Sequence, residues 1–378
     1  MNGTEVTPER PGIADVGELE PRGLPGAQPL LESQAPARKA RIKNVAAGDV
    51  EGLKKEIGRA KKRFGVPEEG QVVSCYEAGR DGFWIHRWMT SVGIENVVID
   101  PASVEVDRRK KKKKTDRLDM KKLLRCLIRW FSGEPRVWSV VRVPSVKDED
   151  DRHLHRELGV LRAERTRHSN RIKSLLITHG VKIRLGKKFI QSLHECRIWD
   201  GSPLPEQLVS RLVREYGRWE LVGSQILFLE KQRRKLLRES QEKKVEMVRQ
   251  LQRLKAIGYN SSWLFVMEFF GWREFNNRKE VGSLAGLTGT PFNSGSMDIE
   301  QGIDKAGNPR VRSLAVEIAW CWLRFQPQSE LSKFFHRKCG AGGKRARRIA
   351  IVAMARRLLV ALWRYTDQGV VPAGARVN

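Results

Sequence analysis

Two apolar runs of strand length, with one helix-length segment between them, constrain this chain's fold more than any other feature. The first, QVVSCYE over 71–77, stops at Ala78-Gly79, and the second, NVVID over 96–100, stops at Pro101. Between them FWIHRWMTSVGI spaces Phe83, Trp84, Trp88 and Ile94 as a helix does. Strand, helix, strand is the grammar of an α/β unit with parallel strands. A helix is expected in front of the pair, where Asp49 is an N-cap candidate before VEGLKKEIGRAKKRFG, and another is expected to open at Asp116. In sheets of this kind functional residues collect at the carboxyl ends of strands. Glu77 and Asp100 both stand at such an end.

Behind the second strand, seven consecutive basic residues, Arg108, Arg109, Lys110, Lys111, Lys112, Lys113 and Lys114, run into Thr115-Asp116-Arg117-Leu118-Asp119. On a helix, Asp116 and Asp119 share a face one turn apart, and like charges that close repel unless a cation or basic group sits between them. A divalent-metal site starts in this way. An Asp at a helix start with an acid three residues later also caps the helix and complements its dipole, so the pair alone does not decide between the two. Convergence adds weight: a parallel sheet brings Glu77 towards the first turn of this helix, where three carboxylates could hold one or two hard cations for chemistry at a phosphate. The basic run draws a polyanion to the same place through counterion release.

Charge supports that partner. Lys and Arg number 72 against 44 acidic residues, a formal +28, and the pI is near 10.3, the footprint of a nucleic-acid-binding chain. No stretch reaches the roughly 18 apolar residues of a membrane span. The best run, Ile349 to Ala355, ends at Arg356-Arg357. Residues 1–40 are acidic and rich in Pro and Gly, with no apolar core of an export signal and no periodicity. They are expected to form a disordered tail in a cytoplasmic protein. Cysteines 75, 126, 196, 321 and 339 make no C-x-x-C pair and the seven histidines no H-E-x-x-H, which leaves no basis for a disulfide framework or a structural zinc site.

From Lys147 to Gly180 and from Glu206 to Gly258 the pattern is helical and highly charged. Leu212, Tyr216, Trp219, Ile226 and Leu229 recur at threes and fours, as do Val248, Leu251 and Leu254. A long antiparallel helical hairpin or coiled-coil arm is expected, with 181–205 as connector. Beyond Gly258 the chain turns Gly-rich and closes with an Arg-rich amphipathic helix from Gly343 to Tyr365. That second compact domain contains PFNSGS (291–296), then Lys305-Ala306-Gly307-Asn308 and Arg310-Val311-Arg312. A serine between Asn and Gly sits in a turn, and nearby cations can hold phosphate oxygens. Its bland reading is a Gly-rich turn, since no histidine base lies near in sequence. Upstream, LKAIGYNSSW suits a helix-loop-helix whose Gly admits a phosphate to backbone amides.

The strings CYEAGRDGFWIHRW, VVIDPASVEVDRR, KTDRLD, RHSNRIKSLL, NRKEVGSLAGLTGTPFNSGS, GIDKAGNPRVR and RRIAIVAMARRLLVALWRY resemble the bacterial insertion-sequence transposases with a DEDD tetrad, the one-hundred-and-ten and eleven-eleven types. The likeness spans roughly residues 41–375. It implies an RNase H-like, RuvC-like α/β domain over 41–145, a helical coiled-coil arm over 146–256 and a mainly helical C-terminal serine transposase domain over 257–378. By this resemblance Glu77, Asp116 and Asp119 are Mg2+ ligands and Ser294 is the nucleophile that attacks DNA, with Ser296 second. Residues 108–114 with Lys305, Arg310 and Arg312 are expected to hold phosphates. The resemblance also implies DNA as substrate, a structured guide RNA in some members, homo-oligomers, and a place at the bacterial nucleoid. The family's first Asp sits on an apolar strand near the N-terminus. Here Pro11-Gly12-Ile13-Ala14-Asp15-Val16 is the nearest imitation, and it carries an extra Ala. Asp15 is therefore not assigned, and the first three strands of the sheet are expected to be absent or replaced. On that expectation, a truncated remnant that binds nucleic acid without cutting is the rival reading.

Overall fold

Both apolar runs are strands, and they are not the first of their sheet. The computed structural model describes residues 14–16, 30–34, 41–80, 82–104, 116–294 and 297–378, with the backbone alone at 14–16, 30–34, 41, 116–118, 291–294 and 297–301. The chain divides into two units, Met1–Val143 and Pro144–Asn378. Most of the described residues are helical.

In chain order the first unit has strands β1 (Ala14–Val16), β2 (Leu30–Gln34) and β3 (Arg41–Asn44), helix α1 (Val50–Phe64), β4 (Val72–Glu77), α2 (Trp84–Ser91), β5 (Glu95–Ile99) and α3 (Asp116–Phe131). The sheet order is β3-β2-β1-β4-β5. β1 pairs antiparallel with β2, Asp15 opposite Gln34, and parallel with β4, Asp15 in register with Val73. β4 and β5 are parallel, with Glu77 in register with Ile99.

The expectation of a structureless tail and missing strands is thereby corrected. β1 and β2 lie inside residues 1–40, and β1 is the central strand. Three residues such as Ala14-Asp15-Val16 give no readable strand pattern on their own. Ladder pairing on both sides supplies what intrinsic β preference does not.

The alternation along β4 and β5 fixes what lies on each face. Val72, Tyr76 and Val98 pack with Leu53 and Ile57 of α1 and with Ile85 and Met89 of α2. Val73, Cys75, Val97 and Ile99 pack instead with Leu123, Cys126 and Leu127 of α3. Burial on both faces explains why these strands read as continuous apolar runs. Asp49 caps α1 as expected, its Oδ1 accepting the Gly52 N–H at 2.8 Å. Gly65 ends the helix in the left-handed region, φ 68°.

The second unit holds α4 (Val146–Asp150), α5 (His153–Ile177), α6 (Phe189–Glu195), α7 (Glu206–Glu239), α8 (Lys243–Gln252) and α9 (Tyr259–Phe265), which runs into a π-helical turn, Val266–Phe270. There follow α10 (Arg278–Leu284), β6 (Gly289–Ser294), β7 (Met297–Ile303), α11 (Pro309–Phe325), α12 (Glu330–Cys339) and α13 (Lys344–Gln368). α5 and α7 are the expected antiparallel hairpin. Leu158 and Leu161 near the start of α5 meet Val222, Ile226 and Leu229 of α7, and Ile172 and Leu176 near its end meet Leu212 and Tyr216. The main core gathers Trp263, Phe265, Phe269, Ala315, Trp322, Met354, Leu358 and Leu362 from α9, the π turn, α11 and α13. Both the expected arm and the expected C-terminal domain belong to this unit. Among the described residues no helix is long and apolar enough to cross a membrane.

Candidate active site

In the first unit, strand alternation and a helical stripe place two of the expected carboxylates, Glu77 and Asp119, on one side of the sheet. Glu77 ends β4 two residues after Cys75 and four after Val73, the residues that face α3. Glu77 is half-buried. α3 begins at Asp116, and Asp119 precedes the buried Leu123 and Leu127 by four and eight residues, so it continues the stripe that faces the sheet. Asp119 is half-buried.

Asp15, which the sequence alone leaves unassigned, is among the residues with a described backbone. It lies on β1, the strand beside β4, in register with Val73. The signal was present as Ile13-Ala14-Asp15-Val16, an acid flanked by apolar residues, but too short to count as a strand. Among the described residues no group of three or more His, Cys, Asp or Glu stands close enough to hold a metal ion. The side chains of Asp15 and Asp116 are not among those described. The basic tract Arg108–Lys114 also lies outside the described residues.

Ser294 closes β6 opposite Met297 of β7, so it flanks the hairpin connection. Ser296 lies outside the described residues. Below the hairpin, Lys305 has φ 65° and is exposed. Gly307 passes so close to α10 that an added Cβ would stand 2.2 Å from the Leu284 carbonyl oxygen and 2.3 Å from the Gly286 nitrogen. The Arg312 guanidinium is turned towards this loop, Nη1 donating to the carbonyls of Lys305 at 2.9 Å and Gly307 at 3.3 Å. Arg312 thus braces the loop, while Arg310 is exposed at the start of α11.

That helix start is held from beneath by Glu268, which no sequence motif singles out. Glu268 sits in the π turn, and its side chain is fully buried. Arg156 of α5 grips it with two bonds, Nε to Oε1 at 2.7 Å and Nη2 to Oε2 at 2.9 Å, and His155 Nε2 lies 2.8 Å from Oε1. Its third partner is the Asn308 amide, 3.3 Å from Oε2. Asn308 in turn caps α11, its Oδ1 accepting the N–H groups of Arg310 at 3.0 Å and Val311 at 3.3 Å. Burial raises the Glu268 pKa, but the hydrogen bonds from Arg156 and His155 outweigh it and hold the carboxyl well below the usual carboxylate range. Burial pushes the His155 pKa down, against the pull of Glu268, so Arg156 supplies the balancing charge. A single acid inside the apolar run LFVMEFF was the available signal, since a carboxylate there needs a partner.

The hairpin and the helix start of the second unit fall within a known family's segment. Residues 248–335, from α8 through most of α12, match the model of the transposase IS116/IS110/IS902 family. A Sinorhizobium fredii protein, y4rJ, a transposase by its name, is 40% identical over 345 residues, which cover 88% of this chain and 86% of that protein. A second from the same organism, y4qE, is 26% identical over 76% of this chain and 67% of its own length. The transposase for insertion sequence element IS1328 of Yersinia enterocolitica is 24% identical over 58% of this chain and 63% of its own length. Taken with the hairpin and helix start inside the matched segment, these relations make the chain a member of the IS116/IS110/IS902 transposase family.

Proposed function

We propose that this transposase excises and integrates its element by serine attack on DNA phosphates, supported by Mg2+ bound to an RNase H-like, RuvC-like first unit. The observation that carries the reading is the sheet. Glu77 and the Asp119 stripe of α3 share one face, and the strand that bears Asp15 lies next to β4. All four candidate donors, with Asp116, offer hard carboxylate oxygens, the donor set Mg2+ prefers. When bound, the ion offsets charge on the attacking and leaving oxygens of a phosphodiester. The Ser294 hydroxyl forms the new O–P bond as the bond to a deoxyribose oxygen breaks. The serine proton passes to solvent or a base, and the released oxygen later attacks the serine-linked phosphorus to rejoin a strand. Lys305 and Arg310 steady the non-bridging oxygens. A structured RNA of the element and further copies of the chain are the partners this reading expects.

The remnant reading rested on a missing central strand, and β1 removes that ground. The test is excision and strand transfer by the full chain with Mg2+, on a plasmid carrying the element's own ends and any RNA they encode. Ser294→Ala should abolish a covalent protein–DNA adduct while leaving binding nearly intact. An adduct that survives moves the nucleophile, with Ser296 next. Asp15→Asn and Asp119→Asn should each stop cleavage at unchanged affinity, and cleavage by Asp15→Asn at the native rate would remove Asp15 from the ligand set.

A further inference from the structure

The turn between α12 and α13 carries a concentration of charge that no role above uses. From Arg337 to Arg348 there are six cations, Arg337, Lys338, Lys344, Arg345, Arg347 and Arg348, and no Asp or Glu. All six are exposed. Arg337 reaches Glu330 at 4.0 Å, and the Arg347 guanidinium lies over the Trp320 ring, 5.1 Å from its centroid. Lys338, Lys344, Arg345 and Arg348 have no acidic partner among the described residues. Some other cations of the same unit do have acidic partners: Arg156 with Glu268, Arg162 with Glu230, Arg218 with Glu215.

Helix stability does not account for this placement. Four of the six occupy the opening of α13, where the helix dipole disfavours positive charge and where like charges stand three and four residues apart. Gly343 gives no side-chain cap and the first turn holds no carboxylate, so the helix itself supplies no negative charge against the repulsion. The opposite face of the same helix is firmly seated, with Ala350, Ile351, Met354 and Leu358 in the main core. A local rule broken on a rigid mount, with no acidic contact at Lys344, Arg345 or Arg348 among the described residues, is the mark of a functional demand.

We infer that the α12–α13 turn is a contact surface for the DNA backbone, gripping phosphates without reading bases. The inference rests on the proposed action on DNA, the partner whose regularly spaced phosphates match a run of exposed Lys and Arg.

The test is binding of the full chain to a mixed-sequence DNA duplex as a function of salt. The variant is Lys338→Gln, Lys344→Gln, Arg345→Gln and Arg348→Gln together. Its control removes equal charge from exposed positions of α7, as Arg211→Gln, Arg214→Gln, Lys231→Gln and Arg238→Gln. Each phosphate no longer neutralised flattens the plot of log K against log salt by about 0.9, so a decrease of about 2–4 is expected from the turn variant and less from the control. The pair Lys344→Gln and Arg345→Gln, milder for folding, should show about half that decrease. A slope equal to wild type, or no lower than the control's, overturns the inference while DNA binding by wild type stands. A decrease confined to an RNA duplex overturns the assignment to DNA. Absence of salt-dependent binding by wild type overturns the DNA reading itself, and this surface with it.

Discussion

Glu268 shows how much one side chain can hold in place. A carboxylate with no exposure is kept ionised by a bidentate guanidinium, an imidazole and an amide, and through that amide it fixes the start of the helix that carries Arg310. Removing one partner of a buried pair is more costly than the pair's net worth, because the other is left uncompensated. Arg156 is partly exposed and can recover water. Glu268→Gln should therefore destabilise by about 3 kcal/mol, at the lower end of the range for such losses, read from urea unfolding. The same residues set a pH dependence. His155 and Glu268 both have folded pKa values below their unfolded ones, so each contributes stability that is present above its unfolded pKa and lost on acidification. Stability should fall as pH drops below about 6.5 through the histidine and further below about 4.3 through the glutamate. In Glu268→Gln the second fall should shrink, and an unchanged acid limb would show that other carboxylates govern it.

Among the elements, the junction of α10, the hairpin and α11 depends on backbones passing at van der Waals distance. Gly307 has no room for a Cβ beside Leu284 and Gly286, and the atoms in the way are backbone. Gly307→Ala should cost about 1–3 kcal/mol as an overpacking change, measured by denaturation, and should slow adduct formation by moving Lys305 and Arg310 relative to Ser294. Elements of this kind were unevenly legible. Long periodic helices could be read closely: the closing helix expected over Gly343–Tyr365 is Lys344–Gln368, and the cap at Asp49 is in place. β4 and β5 were readable because burial on both faces makes their sequence apolar throughout. β1 and β2 were not, since Ala14-Asp15-Val16 has no apolar run and draws its place from pairing. Glu77 and Asp119 stand on elements the sequence shows, a strand end and a helix start, while Asp15 stands on a strand it does not. Glu268 was missed because its meaning lies in Arg156 and His155, more than a hundred residues away in the chain.

For the whole molecule, charge comes first. The net +28 makes affinity for DNA salt-dependent whichever residues touch it, so single affinities say little and slopes say more. Replacing Lys110 to Lys114 with Gln should weaken binding to all sequences alike and lower the slope by about 0.9 for each phosphate that is no longer held. A slope that does not move would sink the claim that this tract touches phosphate. The proposed roles divide between the units: the carboxylates lie in Met1–Val143, and Ser294, Lys305 and Arg310 lie in Pro144–Asn378. The order of strands sets the timetable by which the first of these units can form. Of the described strands β1 is made before the others, yet its parallel neighbour β4 does not exist until Val72 has been made. The sheet therefore closes inward around its oldest strand, and a nascent chain holds the centre of its future fold unpaired on that side while the next fifty or so residues are synthesised, so non-local pairing sets the pace of folding.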